Sequence, residues 1–561
     1  MAANPKPTPG HPLTLTAYAG DASALLAFDV DESLRADLAG FALEYTPPGG
    51  TTQAVGNRLT FGDPIVAATT PAERRAIFTS TRQAPLQKFH WVHFPPDVPA
   101  GAFTYTATAM LFKAGSETEI EPGPSASVKL DLRPAAFPNF KLGFTRGYVS
   151  SQAYHDSFEN AAFVPSKRPL VYDTAPFEAQ YAWLGFDARR LMFEVLDEAL
   201  ADTSLELDVF AYDLDEPDII DRLAKLGPRL RLMLDDSKGH VGPHDFEPQA
   251  RAVLEQSAGA DRVKVGHFQR QSHSKVLIQR RGRDAIKVLA GSANFAVRGL
   301  YVQSNNVFVF DDPETAGLYE QAFVQAFTQP LNTFAKSPIA GGWFTPTGAG
   351  LPPFSVSFSP HTTAGVSLDR VGEAIENARE SVLFAVMDIG GSKGRVTDAL
   401  RALPGRDLYA FGTTQRLDGA LKVTSPSDPH SPFIPFAFLK SKVPAPFNAE
   451  ISGGSGQVIH HKFVVCDFNG ENPVAFAGSS NLAGGGEEEN GDNLVEFRGS
   501  EVVTPFAIEA IKLADHYRFR AVQQKATETD PLRLKGRSED WSAPYFDPST
   551  PKFRERLLFA R

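Results

Sequence analysis

HSKVLIQRRGRDAIKVLAGSAN (273–294) and HHKFVVCDFNGENPVAFAGSSN (460–481) decide the architecture of this 561-residue chain. Aligned without a gap, they place His273 over His460, Lys275 over Lys462, Gly291 over Gly478, Ser292 over Ser479 and Asn294 over Asn481. Every pair is 187 positions apart, and a later asparagine, Asn306 or Asn493, keeps the same offset. A lone HxK arises easily by chance. Five residue types at one offset do not, so the chain carries an internal duplication.

The residues after each HxK are apolar and β-prone. On an extended strand, His and Lys at i and i+2 point to one face and the residue between them to the other. KVLAGSANF and VAFAGSSNL then read as a returning strand that ends in a Gly-Ser turn. Each half therefore presents His, Lys, Ser and Asn at one sheet edge. Pairing the halves about a pseudo-twofold axis brings both histidines to one cleft.

Outward from the motifs, strand-like and helix-like segments alternate. LELDVFAYDL (205–214) and RLRLMLDD (229–236) are strands around the helical IIDRLAKL (219–226). SVLFAVMDI (381–389) and DLYAFGTT (407–414) flank the helical VTDALRAL (396–403). That order predicts two α/β units. Residues 12 to about 134 read instead as short Thr-, Phe- and Val-rich strands split by Pro/Gly turns. The expected organisation is an N-terminal β-sandwich (1–135) resembling a fibronectin or immunoglobulin module, two α/β domains (140–335 and 356–525) and a C-terminal tail (526–561) docked on the body. RPAAFPNF (133–140) reads as a linker, and SPIAGGWFTPTGAGLPPF (337–354) as a connector on the surface.

A net charge of -11 does not attract polyanions, so a nucleic-acid or anionic-membrane partner would need a local basic patch. With Cys466 as the single cysteine, no intramolecular disulfide is available, which fits a reducing compartment. No signal peptide and no apolar run of about 18 residues is visible. The expectation is a soluble cytoplasmic protein without a transmembrane segment, export by a route without a cleaved signal remaining open.

Two imidazoles and two ammonium groups suit phosphodiester cleavage. One histidine attacks phosphorus and the other protonates the leaving oxygen, then activates water. Lysines, asparagines and serine hydroxyls hold the non-bridging oxygens. These donors neutralise phosphate without a metal, no carboxylate–histidine cluster shows metal-ligand spacing, and no cofactor is expected.

HxK, then GSxN, then a later asparagine, twice in one chain, resembles the phospholipase D superfamily over roughly residues 180–525. The resemblance implies two α/β halves with the site at their interface, His273 as nucleophile and His460 as acid/base, with Lys275 and Lys462 beside them. The family's HxKxxxxD is completed by Asp467 in the second half, whereas the first half has Arg280 there. Glu496 follows Asn493, while its first-half equivalent is Val309. A carboxylate behind a histidine orients its ring, so Asp467 and Glu496 are expected supports, and the first half either lacks that support or borrows it elsewhere.

Other residues have plainer readings. His461 takes the outward slot of HxK and is structural; His240 and His244 sit in a Gly/Pro loop at the surface; Cys466 is core. Arg280, Arg281 and Arg283 form a solvated hairpin tip or a phosphate-binding lip. Glu487, Glu488 and Glu489 form a solvated loop. SPFIPFAFLKSKVPAPF (431–447) is loop packing or an apolar lip for acyl chains. The expected substrate is a phospholipid headgroup ester met by transient membrane-surface contact. A nuclease and a non-catalytic scaffold with a decayed site are the alternatives.

Overall fold

The computed structural model describes residues 11–62, 78–134, 136–147, 154, 157–159, 161–242, 245–388, 393–416, 433–435, 459–525 and 533–561; for 388, 415–416, 433–435 and 516–525 it gives the backbone alone.

The N-terminal region is all-β. Leu13–Ala19, Ala24–Val30 and His90–His93 form one antiparallel sheet. Gln53–Ala54, Leu38–Thr46, Ala102–Phe112 and Ile120–Asp131 form another. Alternate residues such as Phe103, Tyr105 and Ala107 turn inward, and the two sheets share one core with Phe28, Phe41 and Phe89. That core is completed from the far end of the chain. Trp541 and Tyr545 join it, and Trp541 donates its indole N–H to the Leu38 carbonyl at 2.8 Å.

Two larger sheets follow, with the same strand order. The first runs Phe140–Phe144, Asn306–Phe310, Asp284–Gly291, Val276–Arg281, Leu205–Ala211, Leu230–Leu234, Val263–Val265. The second runs Phe354–Phe358, Asn493–Arg498, Val474–Gly478, Phe463–Cys466, Ser381–Asp388, Tyr409–Arg416, Phe433–Pro435, with Trp343–Phe344 added at the edge. In each, three strands are parallel, with helices in the crossovers of the first sheet and in the first crossover of the second, while the motif hairpin pairs antiparallel. Helix Pro217–Leu226 shows the local logic. Glu216 accepts the Ile219 N–H at 2.7 Å, Pro217 fills the first turn, Gly227 ends the helix at φ 57, and Ile219, Ile220, Leu223 and Leu226 are buried.

Aromatic packing joins the halves. Phe310 stacks on Phe354 at 4.5 Å, and Phe308 meets Phe497 edge-on at 5.5 Å. One apolar cluster accordingly runs through both sheets and on to Tyr18 and Phe559. Among the described residues, no helix is long and apolar enough to cross a membrane.

Two sequence expectations change. The 337–354 connector does not simply lie on the surface: Ile339 and Ala340 are buried and Trp343–Phe344 is the edge strand, because its apolar residues find the rim of the second sheet. The 133–140 linker is tied down by an Arg133–Asp187 ion pair at 2.6 Å and ends as a strand.

Replacing Trp541 by Ala removes the largest C-terminal contribution to the N-terminal core. We expect a loss of about 3–5 kcal/mol in denaturant unfolding; a loss below ~1 kcal/mol would show that the tail does not complete that core.

Candidate active site

Each HxK lies in an extended segment just before its strand, rather than in the ladder itself. There the backbone is zipped to the opposite half. Gln271 bridges to Asn490, and Ser304 bridges to Ile459. The His460 N–H donates to the Ser304 carbonyl at 3.2 Å, and the Gly491 N–H donates to the Gln271 carbonyl at 2.9 Å. The loop that precedes the last motif strand of one half is thereby carried to the histidine of the other.

The consequence is a crossed pair of supports. Asp492, from the second half, has a carboxylate oxygen 2.7 Å from Nδ1 of His273. Asn305, from the first half, has its Oδ1 2.9 Å from Nδ1 of His460. These residues stand one position before Asn306 and Asn493 and share the 187 offset, but differ in type.

The Gly-Ser turns hold the supports in place. Gly291 and Gly478 adopt φ 151 and 149, and a Cβ there would meet the Asn306 or Asn493 carbonyl oxygen at 2.3 or 2.4 Å. Ser292 Oγ accepts the Asn306 N–H at 3.0 Å and donates to Asn305 Oδ1 at 2.8 Å. Ser479 Oγ repeats both, accepting the Asn493 N–H at 3.0 Å and donating to Asp492 Oδ1 at 2.8 Å. The hydroxyl protons are thus directed at the supports, which makes both serines positioning residues.

His273 and His460 are 3% and 4% exposed, and both lysines are buried. Burial, with Lys275 beside it, lowers the His273 pKa to about 4 against the pull of Asp492. Burial and then Lys462 push His460 well below the ordinary imidazole range. Burial lowers Lys275 to about 8, and burial followed by the charge of Lys275 drives Lys462 well down. The charge of one half acts on the other half's groups in each direction. Lys462 Nζ stands 3.1 and 3.2 Å from the two ring nitrogens of His460 and 2.8 Å from its carbonyl. Lys275 donates to the His273 carbonyl and lies 4.6 Å over the Tyr212 ring. The site is a desolvated cluster of four basic groups beside the carboxylate of Asp492.

The asparagines separate. Asn294 donates to Asp213. Asn306 donates to His461 Nδ1 at 3.3 Å, and His461 Nε2 lies 3.2 Å from Glu509, so His461 is a buried structural residue. Asn493 contacts Ser479 and Tyr319 at 3.4 and 3.5 Å. Asn481 is half-buried, and its Oδ1 has no hydrogen-bond partner among the described residues.

Asp467 and Glu496 do not support a histidine. Seven residues along an extended chain from His460 is about 23 Å, and Asp467 instead accepts the backbone N–H groups of Arg379, Glu380 and Ser381 at 2.9, 2.8 and 3.3 Å. Glu496 pairs with Arg370 at 2.6 Å and with Arg498. Arg280 likewise sits at the far end of its strand, bound to Glu206 and to Asp208 at 2.8 Å, and Arg281 pairs with Asp202 at 3.0 Å. Their hairpin is no phosphate lip.

Three further expectations are corrected. Glu487 is buried rather than solvated, because its carboxylate accepts the Gly365, Ser367 and Leu368 N–H groups at the start of helix Leu368–Asn377. His240 is buried rather than on the surface, held between Asp235 at 2.7 Å and Asp213 at 2.9 Å, and these carboxylates lift its pKa to about 10 against the cost of burial. Asp213, His240 and Glu247 also bring three ligand-type atoms within 4.8 Å of one another, a cluster that sequence spacing does not reveal. His244 and most of the 431–447 stretch lie outside the described residues. Cys466 is buried in its strand, as expected.

Sequence reasoning missed Asn305, Asp492, Asp213 and Asp235. The first two were within reach: they flank the flagged asparagines, and neighbours on an extended chain face opposite ways.

Residues 196–327 match the family model described as cardiolipin synthase, PLD-like domain. No curated protein sequence matches the chain. Among solved structures, the chain is similar to a phosphatidylserine synthase from Haemophilus influenzae Rd KW20 at 12% identity, covering 58% of this chain and 84% of that one with a TM-score of 0.40. It is similar to Nuc, a phospholipase D family member from Salmonella typhimurium, at 22% identity over 25% of this chain and 87% of that one, with a TM-score of 0.21. A polyphosphate kinase from Porphyromonas gingivalis matches at 11% identity over 64% of this chain and only 53% of its own length, with a TM-score of 0.37. With that family match over residues 196–327 and the same HxK/GSxN arrangement repeated in the second half, the chain is similar to the phospholipase D superfamily.

Proposed function

We propose that this protein is a phosphodiesterase acting through a covalent phosphohistidine, with phospholipid headgroup esters as its substrates. The observation that carries the reading is the crossed support: each Nδ1 is fixed by the opposite half, which turns each Nε2 away from its support, with Lys462 Nζ 3.2 Å from that of His460. The two α/β halves act as partners about a pseudo-twofold axis, and the N-terminal region is a β-sandwich at their side.

The support difference favours one division of roles. Asp492 is an anion and favours positive charge on His273, as a phosphohistidine requires. Asn305 is neutral and leaves His460 a ready proton donor. His273 Nε2 attacks phosphorus, the ester P–O bond breaks, and the leaving oxygen takes the proton from His460. His460 then removes a proton from water, the hydroxide attacks phosphorus, the P–N bond breaks and His273 is free again. Lys275 and Lys462 hold non-bridging oxygens. The bound phosphate supplies the missing negative charge, which raises the pKa of His460 and both lysines and charges them for the reaction.

Two observations favour a lipid over a long nucleic acid. The net charge is -11, and Arg280 and Arg281 are consumed by carboxylates instead of forming a track for a polyanion.

With phosphatidylcholine and ethanol in EDTA, the enzyme should yield both phosphatidic acid and phosphatidylethanol, because the intermediate partitions between water and alcohol. His273→Ala and His460→Ala should each lower the rate by about 10²–10⁴-fold. If neither product forms while single-stranded or duplex nucleic acid is cut, the nuclease reading replaces the lipid one.

Asp492→Asn tests the role assignment. The carboxylate raises the His273 pKa, so its loss lowers that pKa further. His273 must be unprotonated to attack. The acid limb of kcat/KM therefore moves to lower pH, and kcat falls by about tenfold or more as the ring loses its anionic partner. An acid limb that stays in place would sever Asp492 from His273.

A further inference from the structure

We propose that Asp213, His240 and Glu247 bind one divalent transition-metal ion, with Asp235 as the outer carboxylate that fixes the histidine. This goes beyond the phosphodiesterase reading and does not depend on it.

Geometry is the first argument. One ligand atom from each of the three residues falls within 4.8 Å of the other two. Nε2 of His240 and Oδ1 of Asp213 are 2.9 Å apart. Two cis ligands, each at about 2.1 Å from one ion, stand about 3.0 Å apart. The same pair is bridged by a proton when no ion is bound, so metal and proton compete for one position. The other ring nitrogen, Nδ1, faces Asp235 at 2.7 Å. Asp235 is itself pinned by the Ser237 and Ser272 N–H groups at 2.8 and 2.6 Å. A ligating histidine whose second nitrogen donates to an anchored carboxylate is the arrangement that sets tautomer and ring direction in metal sites.

Position and charge are the second argument. Asp213 and Asp235 follow the carboxyl ends of the adjacent parallel strands Leu205–Ala211 and Leu230–Leu234, where open α/β sheets place their ligands. Asp213, Asp235 and Glu247 bring three carboxyl groups around the single imidazole of His240, with Asp235, Glu247 and His240 buried.

A third observation points to the ligand itself. Asn294 is buried, its Oδ1 has no hydrogen-bond partner among the described residues, and its Nδ2 contacts Asp213. This amide borders the cluster through Asp213 and still has an oxygen to give.

Among the described residues, the cluster has no counterpart in the second half. The ladders pair Phe210 with Val276 and Ala385 with Phe463, which makes Asp213 equivalent to Asp388 and Asp235 equivalent to Gln415. The second half lacks the outer carboxylate, so the cluster is not part of the duplicated chemistry. It stands behind that chemistry: the Tyr212 ring lies 4.5 Å from His240 on one side and 4.8 Å from His273 on the other.

The test is calorimetric titration of the full chain, stripped with a chelator and refilled with Zn²⁺, with Mg²⁺ in parallel. One Zn²⁺ should bind per chain, with Mg²⁺ much weaker. His240→Gln and Glu247→Gln should each weaken Zn²⁺ at least about 100-fold, and Asp235→Asn about 10–100-fold. His273→Ala/His460→Ala should keep wild-type affinity. X-ray absorption on the loaded wild-type chain should show one nitrogen with oxygen neighbours, a readout that no misfolded variant can mimic. Absence of saturable one-to-one binding, equal affinity in His240→Gln and Glu247→Gln, or loss of binding in the His273→Ala/His460→Ala chain overturns the proposal.

Discussion

A hydrogen bond from each half to the other half's imidazole is the constraint around which the catalytic body is built. A histidine can be set by its own strand only to the precision of a χ rotation, and the ring needs a second fixed point. Here that point comes from across the interface, through Asp492 for His273 and Asn305 for His460. The requirements propagate backward. Asp492 and Asn305 need the serine hydroxyls, the serines need the glycines that let the chain approach the following carbonyl, and the loops need the backbone bridges at Gln271–Asn490 and Ser304–Ile459. The aromatic contacts of Phe310, Phe354 and Phe497 keep the two sheets close enough for all of it.

Burial then sets the electrostatics. In water two lysines and two histidines would carry at least two charges. Enclosed together, their charged forms are disfavoured by lost hydration and by one another. Buried groups of this kind favour an anion within their reach, and that preference is local to the site and independent of the acidic surface around it.

Much of this was legible in the sequence because the duplication is exact in spacing. The repeat at 187 residues located both HxK elements, both Gly-Ser turns and the strand–helix alternation around them, and the Thr- and Phe-rich opening showed the all-β region. What escaped reading did so for physical reasons. Asp467 and Glu496 fitted a pattern, but the length of a strand puts the first out of reach of a histidine and the second pairs with arginines. Asn305 and Asp492 differ in residue type, so a search for identical pairs passes over them. His240 looked like a loop residue because its partners Asp213 and Asp235 follow two separate strands that only the parallel crossover brings together. Glu487 looked like part of a charge run, yet its carboxylate caps a helix more than a hundred residues upstream.

The pair Asp492/Asn305 has one more consequence. Two identical half-length polypeptides meeting on a symmetry axis would be compelled to place the same side chain behind both imidazoles, and neither ring could specialise. Carrying both halves on a single polypeptide lifts that compulsion, since each copy is encoded separately and one position can keep an acid while its twin becomes an amide. In this protein two chemically identical rings are told apart by one atom pair, a carboxylate oxygen behind His273 and an amide oxygen behind His460, and the difference exists only because the halves are covalently one.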